Sequence, residues 1–455
     1  DPRLPEKGRQ RALDRLRTGV ERARDRLTRI EDFLHVEVAG GIVNASKAPS
    51  VTTVNVEVTN TTPVTFTNLA AGVKAINFNK DGAEDTSDAV TLGYASGAAA
   101  DITVNIGEID NGVTGSTPNT GDAIQLGAVT LSNVSKLTLN SVRDTDNTAL
   151  VANTLTSLDV GTATEVKVTT SDKASINTGN LTGASVTKLT VAADGGAATI
   201  GTFVGAALTD LVLTSANKAA LTTDDLGTAK SATTASKLVN YSVTTGAETT
   251  VSLGAIDAAT KSGATGLASS ALKTVSYDLG SKATVTAIGT IDATDESGAN
   301  GNAGAGVAQL DSYSLKIGAD LAGNAKIGDV KARSVTTATI NVAENATTAR
   351  TVDAGLIMDE SIGSLNITSG KNITTKVTVD GIDDNGTTDL YNLAVGTVTI
   401  AGDGCHIAVN SPPQVPYFIN SYEGNSHSGV YLGLMMFAQL PPPYNEGLYR
   451  CVTTD

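Results

Sequence analysis

The sequence predicts an all-β fold, either an irregular β-solenoid or a chain of β-sandwich domains, with an N-terminal amphipathic helix. The pattern apolar-x-x-apolar-x-apolar recurs nine times between Leu131 and Val395. Its last two apolar positions alternate with a polar one, which is the period of a half-buried strand. Between the copies lie Gly, Asn, Asp, Thr and Ser, the residues of turns. A separate stretch of helical periodicity occurs only near the start of the chain.

The nine copies are spaced irregularly, with 21 to 52 positions between their central residues. A strict solenoid would hold one period, so the spacing leaves open rungs with inserted loops or a string of sandwich domains. The copies are Val134/Leu137/Leu139, Leu155/Leu158/Val160, Val186/Leu189/Val191, Leu208/Leu211/Leu213, Leu238/Tyr241/Val243, Leu272/Val275/Tyr277, Leu310/Tyr313/Leu315, Ile362/Leu365/Ile367 and Leu390/Leu393/Val395.

Composition and the apolar repeats together divide the chain into four regions. Residues 1–44 are basic, with a helical apolar stripe over residues 6–35, and nine of the 13 Arg lie in residues 1–29. Residues 45–130 predict a β domain, and residues 131–402 the repetitive β region. Residues 403–455 form a Pro- and Tyr-rich tail that holds both Cys. The sharp contrast leaves open whether the two ends are native to the protein or come from a fusion.

Charge and composition exclude several classes of function. The formal charge of −15 argues against a nucleic-acid partner, which requires a basic face. No apolar run reaches the length of a membrane helix. A basic amphipathic helix such as that of residues 6–35 can lie on a membrane or lipopolysaccharide surface, or can pack on its own protein.

Four acidic loops with Gly or Asn are the candidate metal sites. Calcium binds six to eight oxygen atoms from carboxylates, amides and carbonyls on flexible loops, and clustered Asp and Asn supply them. Ordinary solvated turns are the alternative interpretation. The candidate Ca²⁺ ligands are Asp81, Glu84, Asp85 and Asp88; Asp144 and Asp146; Asp292 and Asp295; and Asp380, Asp383, Asp384 and Asn385.

No residue pattern predicts catalysis. A Ser-His-Asp set would need His35, His406 or His427, and no G-x-S-x-G motif accompanies them. Cys405 and Cys451 predict a disulfide in a secreted protein, with two buried thiols as the alternative.

Two stretches resemble known families. Residues 30–43 (IEDFLHVEVAGGIV) resemble the segment before the first membrane helix of bacterial sodium/proton antiporters. No apolar span follows, so this resemblance implies no transport. The Thr-, Ala- and Gly-rich, Cys-free middle region, with strings such as VTKLTVAADGG from Val186 and LKTVSYDLG from Leu272, resembles the surface-layer proteins of Gram-negative bacteria.

The second resemblance implies a non-enzymatic, secreted structural protein. Such a subunit would assemble with copies of itself into a calcium-dependent lattice on the bacterial cell surface, anchored to lipopolysaccharide. Two alternatives are an extracellular adhesin or phage fibre and a carbohydrate-active β-helix enzyme. The lattice symmetry, the anchoring partner and the number of calcium ions stay open.

Overall fold

In the residues that it describes, a computed structural model shows mostly parallel strands in two large sheets with almost no helix. It describes residues 33–38, 41–58, 63–79, 86–97, 100–107, 123–143, 150–171, 173–226, 237–259, 269–295, 305–381, 393–402, 405–409, 418–423 and 448–450.

The first sheet contains 21 of the described strands. Their bounds are Phe33–Val38, Thr53–Val58, Ala75–Asn79, Ala100–Ile106, Val134–Ser141, Glu165–Thr170, Lys188–Ala193, Asp210–Ser215, Asn240–Thr245, Ile256–Asp257, Thr274–Leu279, Ile291–Asp292, Gln309–Ile317, Ala325–Lys326, Val330–Val342, Arg350–Ser369, Ile373–Gly381, Ala394–Gly402, Cys405–Val409, Phe418–Glu423 and Leu448–Arg450.

The second sheet contains 12 of the described strands. Their bounds are Gly41–Asn44, Val64–Leu69, Thr86–Tyr94, Gln125–Ser132, Val151–Asp159, Ala174–Asn177, Asn180–Thr182, Ala198–Ile200, Phe203–Val204, Ala220–Thr223, Thr250–Leu253 and Thr284–Ile288. A short antiparallel pair, Thr294–Asp295 with Ala305–Gly306, and one 3₁₀ turn, Ala45–Lys47, complete the described elements.

The predicted fold class, an irregular β-solenoid or a chain of β-sandwich domains, is wrong. Sandwiches are built from antiparallel strands, whereas these strands run parallel, an arrangement otherwise typical of α/β proteins. The pairing is also more regular than the sequence spacing indicated. Asp210–Ser215, for example, pairs residue by residue with the strands on both sides. The loops between strands vary in length, and this variation hid the regular register.

The structure also corrects the predicted N-terminal helix. Residues 33–35, its last three, lie in the strand Phe33–Val38, which pairs with Thr53–Val58. Residues 1–32 lie outside the described part of the chain. Among the described residues, no helix is long and apolar enough to span a membrane.

The repeat positions need two corrections. Leu155 and Leu158 lie in a strand of the second sheet, and the first-sheet strand between the copies at Leu137 and Leu189 is Glu165–Thr170. The long gap between Tyr313 and Leu365 holds the strand Val330–Val342, whose Ala338 pairs with both. Alanine at this position hid the strand from a search for large apolar residues.

We call the successive parallel strands of the two large sheets, with the turns that join them, the stack. One apolar core runs through its described residues, from Ala45 to Cys405. Its side chains come from alternate positions of both sheets, as the strand period requires. Backbone groups at the turns are satisfied by neighbouring turns: Lys218 N donates to Ala247 O, and Glu248 N donates to Ser281 O. Unpaired buried backbone groups are costly, so this pairing stabilises the stacking of one turn on the next. The domain boundaries after residues 44, 130 and 402 stay predictions.

Candidate functional site

The predicted calcium ligands are distributed over different parts of the chain. Asp88 and Asp295 lie in the strands Thr86–Tyr94 and Thr294–Asp295, and Asp380 lies near the end of Ile373–Gly381. Asp292 lies in Ile291–Asp292, and its side chain is placed in detail. The remaining predicted ligands lie outside the described residues: Asp81, Glu84, Asp85, Asp144, Asp146, Asp383, Asp384 and Asn385.

Asp292 is fixed by the turn that follows its strand. Its Oδ1 accepts hydrogen bonds from Thr294 N at 3.0 Å and from Thr294 Oγ1 at 2.6 Å. Thr294 is buried, with 4% of its surface exposed. An Asp that accepts from the backbone two residues later forms an Asx turn, which explains why Asp is suited to this position. The structure therefore gives Asp292 a definite local role.

Strand register places two further charged residues beside Asp292. Asp257 is its partner in the preceding strand and Lys331 its partner in the following one. Lys331 Nζ lies 4.0 Å from Asp292 Oδ2, and Asp257 Oδ1 is buried. We call Asp257, Asp292 and Lys331 the charged column; it is the candidate functional site of the described residues.

The charged column combines two carboxylates with one ammonium group. Adjacent parallel strands lie about 4.8 Å apart, so the backbones of Asp257 and Asp292 are neighbours across one strand spacing. Such a pair can exchange protons with a bound molecule or contribute oxygen ligands to a cation. Across the described residues, however, no three His, Cys, Asp or Glu side chains are grouped to hold a metal. Calcium binding by these loops stays a prediction.

Sequence reasoning found Asp292 but missed Asp257 and Lys331. Each of the two lies in an alternating apolar and polar stretch, as many other charged residues do. The loops that separate them from Asp292 in the sequence differ in length. Their alignment depends on which residues of successive strands pair, and no local pattern in the sequence specifies that. A search for charged residues at equivalent strand ends could have found them only after the register was known.

The predicted disulfide is not tested. Cys405 is buried, and its Sγ lies 3.8 Å from Ala401 O. Cys451 lies outside the described residues.

Burial dominates the electrostatics of the tyrosines in the core. Tyr241, Tyr277 and Tyr313 are fully buried, and their rings meet edge to face at centroid distances of 5.6 Å and 6.5 Å. Desolvation raises the pKa of all three phenols. They remain neutral at physiological pH, so we assign them to packing.

Comparison with known proteins gives two matches. The Hydantoinase B/oxoprolinase family matches residues 319–455, which is less than a third of the chain. A "Caprolactamase subunit beta" from Pseudomonas jessenii is 78% identical over 58 residues, which are 13% of this chain and 10% of that protein. The chain thus matches about a tenth of the length of this curated relative. No solved structure gives a significant match.

These matches overturn the functional part of the sequence interpretation. The surface-layer and antiporter resemblances are wrong as guides to family, because the matched family is Hydantoinase B/oxoprolinase. The predicted non-enzymatic subunit is contradicted by similarity to enzymes, and the adhesin, phage-fibre and β-helix enzyme alternatives find no support. The predicted lattice of identical copies and its lipopolysaccharide contact are also corrected, since the relative is one subunit of an enzyme. The physical reason for the error is that a Thr-rich, Cys-free, acidic composition indicates exposed strands, and proteins of many unrelated functions share that composition.

Proposed function

We propose that this chain takes part in hydrolysis of a cyclic amide of the lactam type, as one subunit of an enzyme with a second, different subunit. The observation that carries the proposal is the 78% identity over 58 residues to the caprolactamase beta subunit. The family match over residues 319–455 supports the same chemistry.

Hydrolysis of an amide requires an activated water and stabilisation of the oxyanion that forms on the carbonyl. The matched residues 319–455 contain two of the three histidines of the chain, His406 and His427. Histidine is the side chain whose ordinary pKa best suits proton transfer near neutral pH. We therefore infer that one of these two histidines serves as the general base.

The parallel stack supports the proposal as a scaffold. Residues 319–402 of the matched range belong largely to the stack, where Arg350–Ser369 pairs with Val330–Val342, Ile373–Gly381 and Ala394–Gly402. Catalytic groups require a rigid support to hold their geometry.

The test is lactam ring opening by the full chain. Purified chain is incubated with caprolactam, with and without the second subunit of the Pseudomonas jessenii enzyme, and formation of the ring-opened amino acid is measured through its primary amine. That enzyme's own beta subunit is the positive control and defines the reaction conditions. We expect amine formation only when both subunits are present. A blank reaction beside an active positive control would overturn the proposal.

Three histidine substitutions test which residue serves as the general base. We expect His406→Gln or His427→Gln to lower the rate about a hundredfold or more, the usual contribution of general acid–base catalysis. His35→Gln, outside the matched range, should leave the rate unchanged. Full activity in both tail variants would show that neither histidine is the base.

A further inference from the structure

Five successive strands of the first sheet present two columns of short polar side chains. The first column is Thr274, Ser312, Thr337, Ser364 and Thr397, and each residue pairs directly with the next. The second column, two residues further along each strand, is Ser276, Ser314, Thr339, Asn366 and Thr399. We call these ten residues the hydroxyl array, since nine of them carry a hydroxyl group.

The hydroxyl array faces away from the core. The residues between and beside its members are buried, among them Val275, Tyr313, Ala338, Leu365 and Val398. Successive side chains of a strand point to opposite faces, so the array points outward. All ten members are half-buried, because each is flanked by its neighbours in the sheet.

Register makes the array regular in two dimensions. Parallel strands lie about 4.8 Å apart, and residues two apart along a strand about 6.6 Å apart. No register shift occurs between the paired array residues; the one irregularity between these strands falls earlier, between Ala332 and Ser334. Ser364 Oγ lies 3.4 Å from Thr337 Oγ1, so neighbouring hydroxyls are close to one another. The hydroxyls therefore repeat at fixed spacings along both directions of the sheet.

The chemistry of the array indicates its occupant. The array carries no charge, although the chain as a whole carries −15, so it complements a neutral partner. Each hydroxyl both donates and accepts a hydrogen bond, as water does, and Thr is restricted at χ1 by its branched Cβ. The array contains no aromatic or Arg side chain to anchor a protein partner.

We propose that the hydroxyl array binds the ordered water of an ice surface. Its fixed hydroxyls would hold a layer of water in a repeating pattern through hydrogen bonds, and that layer would join the crystal. This binding is separate from the proposed amide hydrolysis and does not depend on it.

The test measures thermal hysteresis and inhibition of ice recrystallisation with the full chain. Ser314→Lys places a long charged side chain in the centre of the array. Ser252→Lys makes the same change at a half-buried outward position of the second sheet, in Thr250–Leu253. We expect the wild-type chain and Ser252→Lys to inhibit recrystallisation equally, and Ser314→Lys to lose at least tenfold in activity.

Two results would overturn the proposal. One is a wild-type chain with no more effect on ice growth than an equal concentration of an unrelated protein. The other is an equal loss in both Lys variants, which would reflect the added charge and not its place. Circular dichroism of each variant checks that the fold is retained, and Thr339→Ser, which keeps the hydroxyl, should retain activity if Ser314→Lys acts locally.

Discussion

The side-chain amide of Asn77 donates a hydrogen bond of 2.7 Å to Oδ1 of Asn55 in the adjacent strand. Asn105 donates in the same way to Asn77 at 2.7 Å, and Asn140 donates to Asn105 at 2.9 Å. Four successive strands of the first sheet are thus joined by one ladder of asparagine side chains. Such ladders form only when identical side chains stand in register.

The ladder predicts that removing one of its central asparagines lowers the free energy of unfolding. Asn105→Ala removes one hydrogen bond given to Asn77 and one received from Asn140. We expect the free energy of unfolding to fall by about 1–2 kcal/mol, measured by urea denaturation. Asn341→Ala, at an exposed position of a later strand, is the matched control and should change stability by less than about 0.5 kcal/mol. Equal effects of the two substitutions would show that the ladder adds no stability.

Three glycines that lie next to one another in successive turns, Gly254, Gly289 and Gly328, predict a steric effect. A Cβ on Gly289 would lie 2.5 Å from Gly254 C, and a Cβ on Gly328 would lie 2.3 Å from Gly289 C. We expect Gly289→Ala to destabilise the fold by about 1–3 kcal/mol, because backbone would have to move. Gly323→Ala is the control, since its Cβ would meet nothing within 4 Å. Thermal unfolding of the two variants distinguishes close packing from a general effect of losing glycine.

The buried tyrosines predict a loss of stability at alkaline pH. Burial raises the pKa of Tyr277 well above its ordinary value of 10.0. Above pH 10 the unfolded chain therefore releases a proton that the folded chain retains, so the free energy of unfolding falls as pH rises. The slope is up to about 1.4 kcal/mol per pH unit for each such tyrosine.

Tyr277→Phe separates this effect from general alkaline denaturation. The variant lacks one ionisable phenol, so its stability should fall less steeply above pH 10 than that of the wild-type chain. Urea denaturation at several alkaline pH values gives both slopes. Identical slopes would mean that Tyr277 ionises equally in the folded and unfolded chains.

The hydrogen bonds between Asp292 and Thr294 predict that Asp292 stabilises the turn that follows its strand. Asp292→Ala leaves the amide and hydroxyl of the buried Thr294 without their acceptor, so we expect a loss of about 1–3 kcal/mol. Asp292→Asn retains Oδ1 and removes only the charge, and should cost less. If the two variants are equally destabilised, the contribution of Asp292 comes from its charge near Lys331 and not from the turn.

The alternation of apolar and polar residues located many of the strands, because burial of every second side chain follows directly from strand geometry. The copy at Tyr241 and Val243, for example, lies in Asn240–Thr245. Strand pairing could not be predicted from the sequence, since the order of parallel strands depends on contacts between residues far apart in sequence. Ala338 shows the limit: its small side chain fills the core position between Tyr313 and Leu365 without a recognisable signal.

The charged column was harder to predict than the strands. Asp292 was found because acidic residues cluster around it, whereas Asp257 and Lys331 become its neighbours only through register. The enzyme similarity lies in residues 319–455, where no short catalytic motif marks the reaction. Composition therefore led to a structural protein, and comparison with whole families was needed to correct it.

The most direct test of the proposed function is the rate at which the full chain and a second subunit open the lactam ring. A rate that is proportional to the concentration of this chain, with one amine and one carboxylate formed for each ring opened, is the predicted result. If the second subunit alone gives the same rate, or if no amine appears while the Pseudomonas jessenii beta subunit is active, the chain is not an amide-hydrolysing subunit.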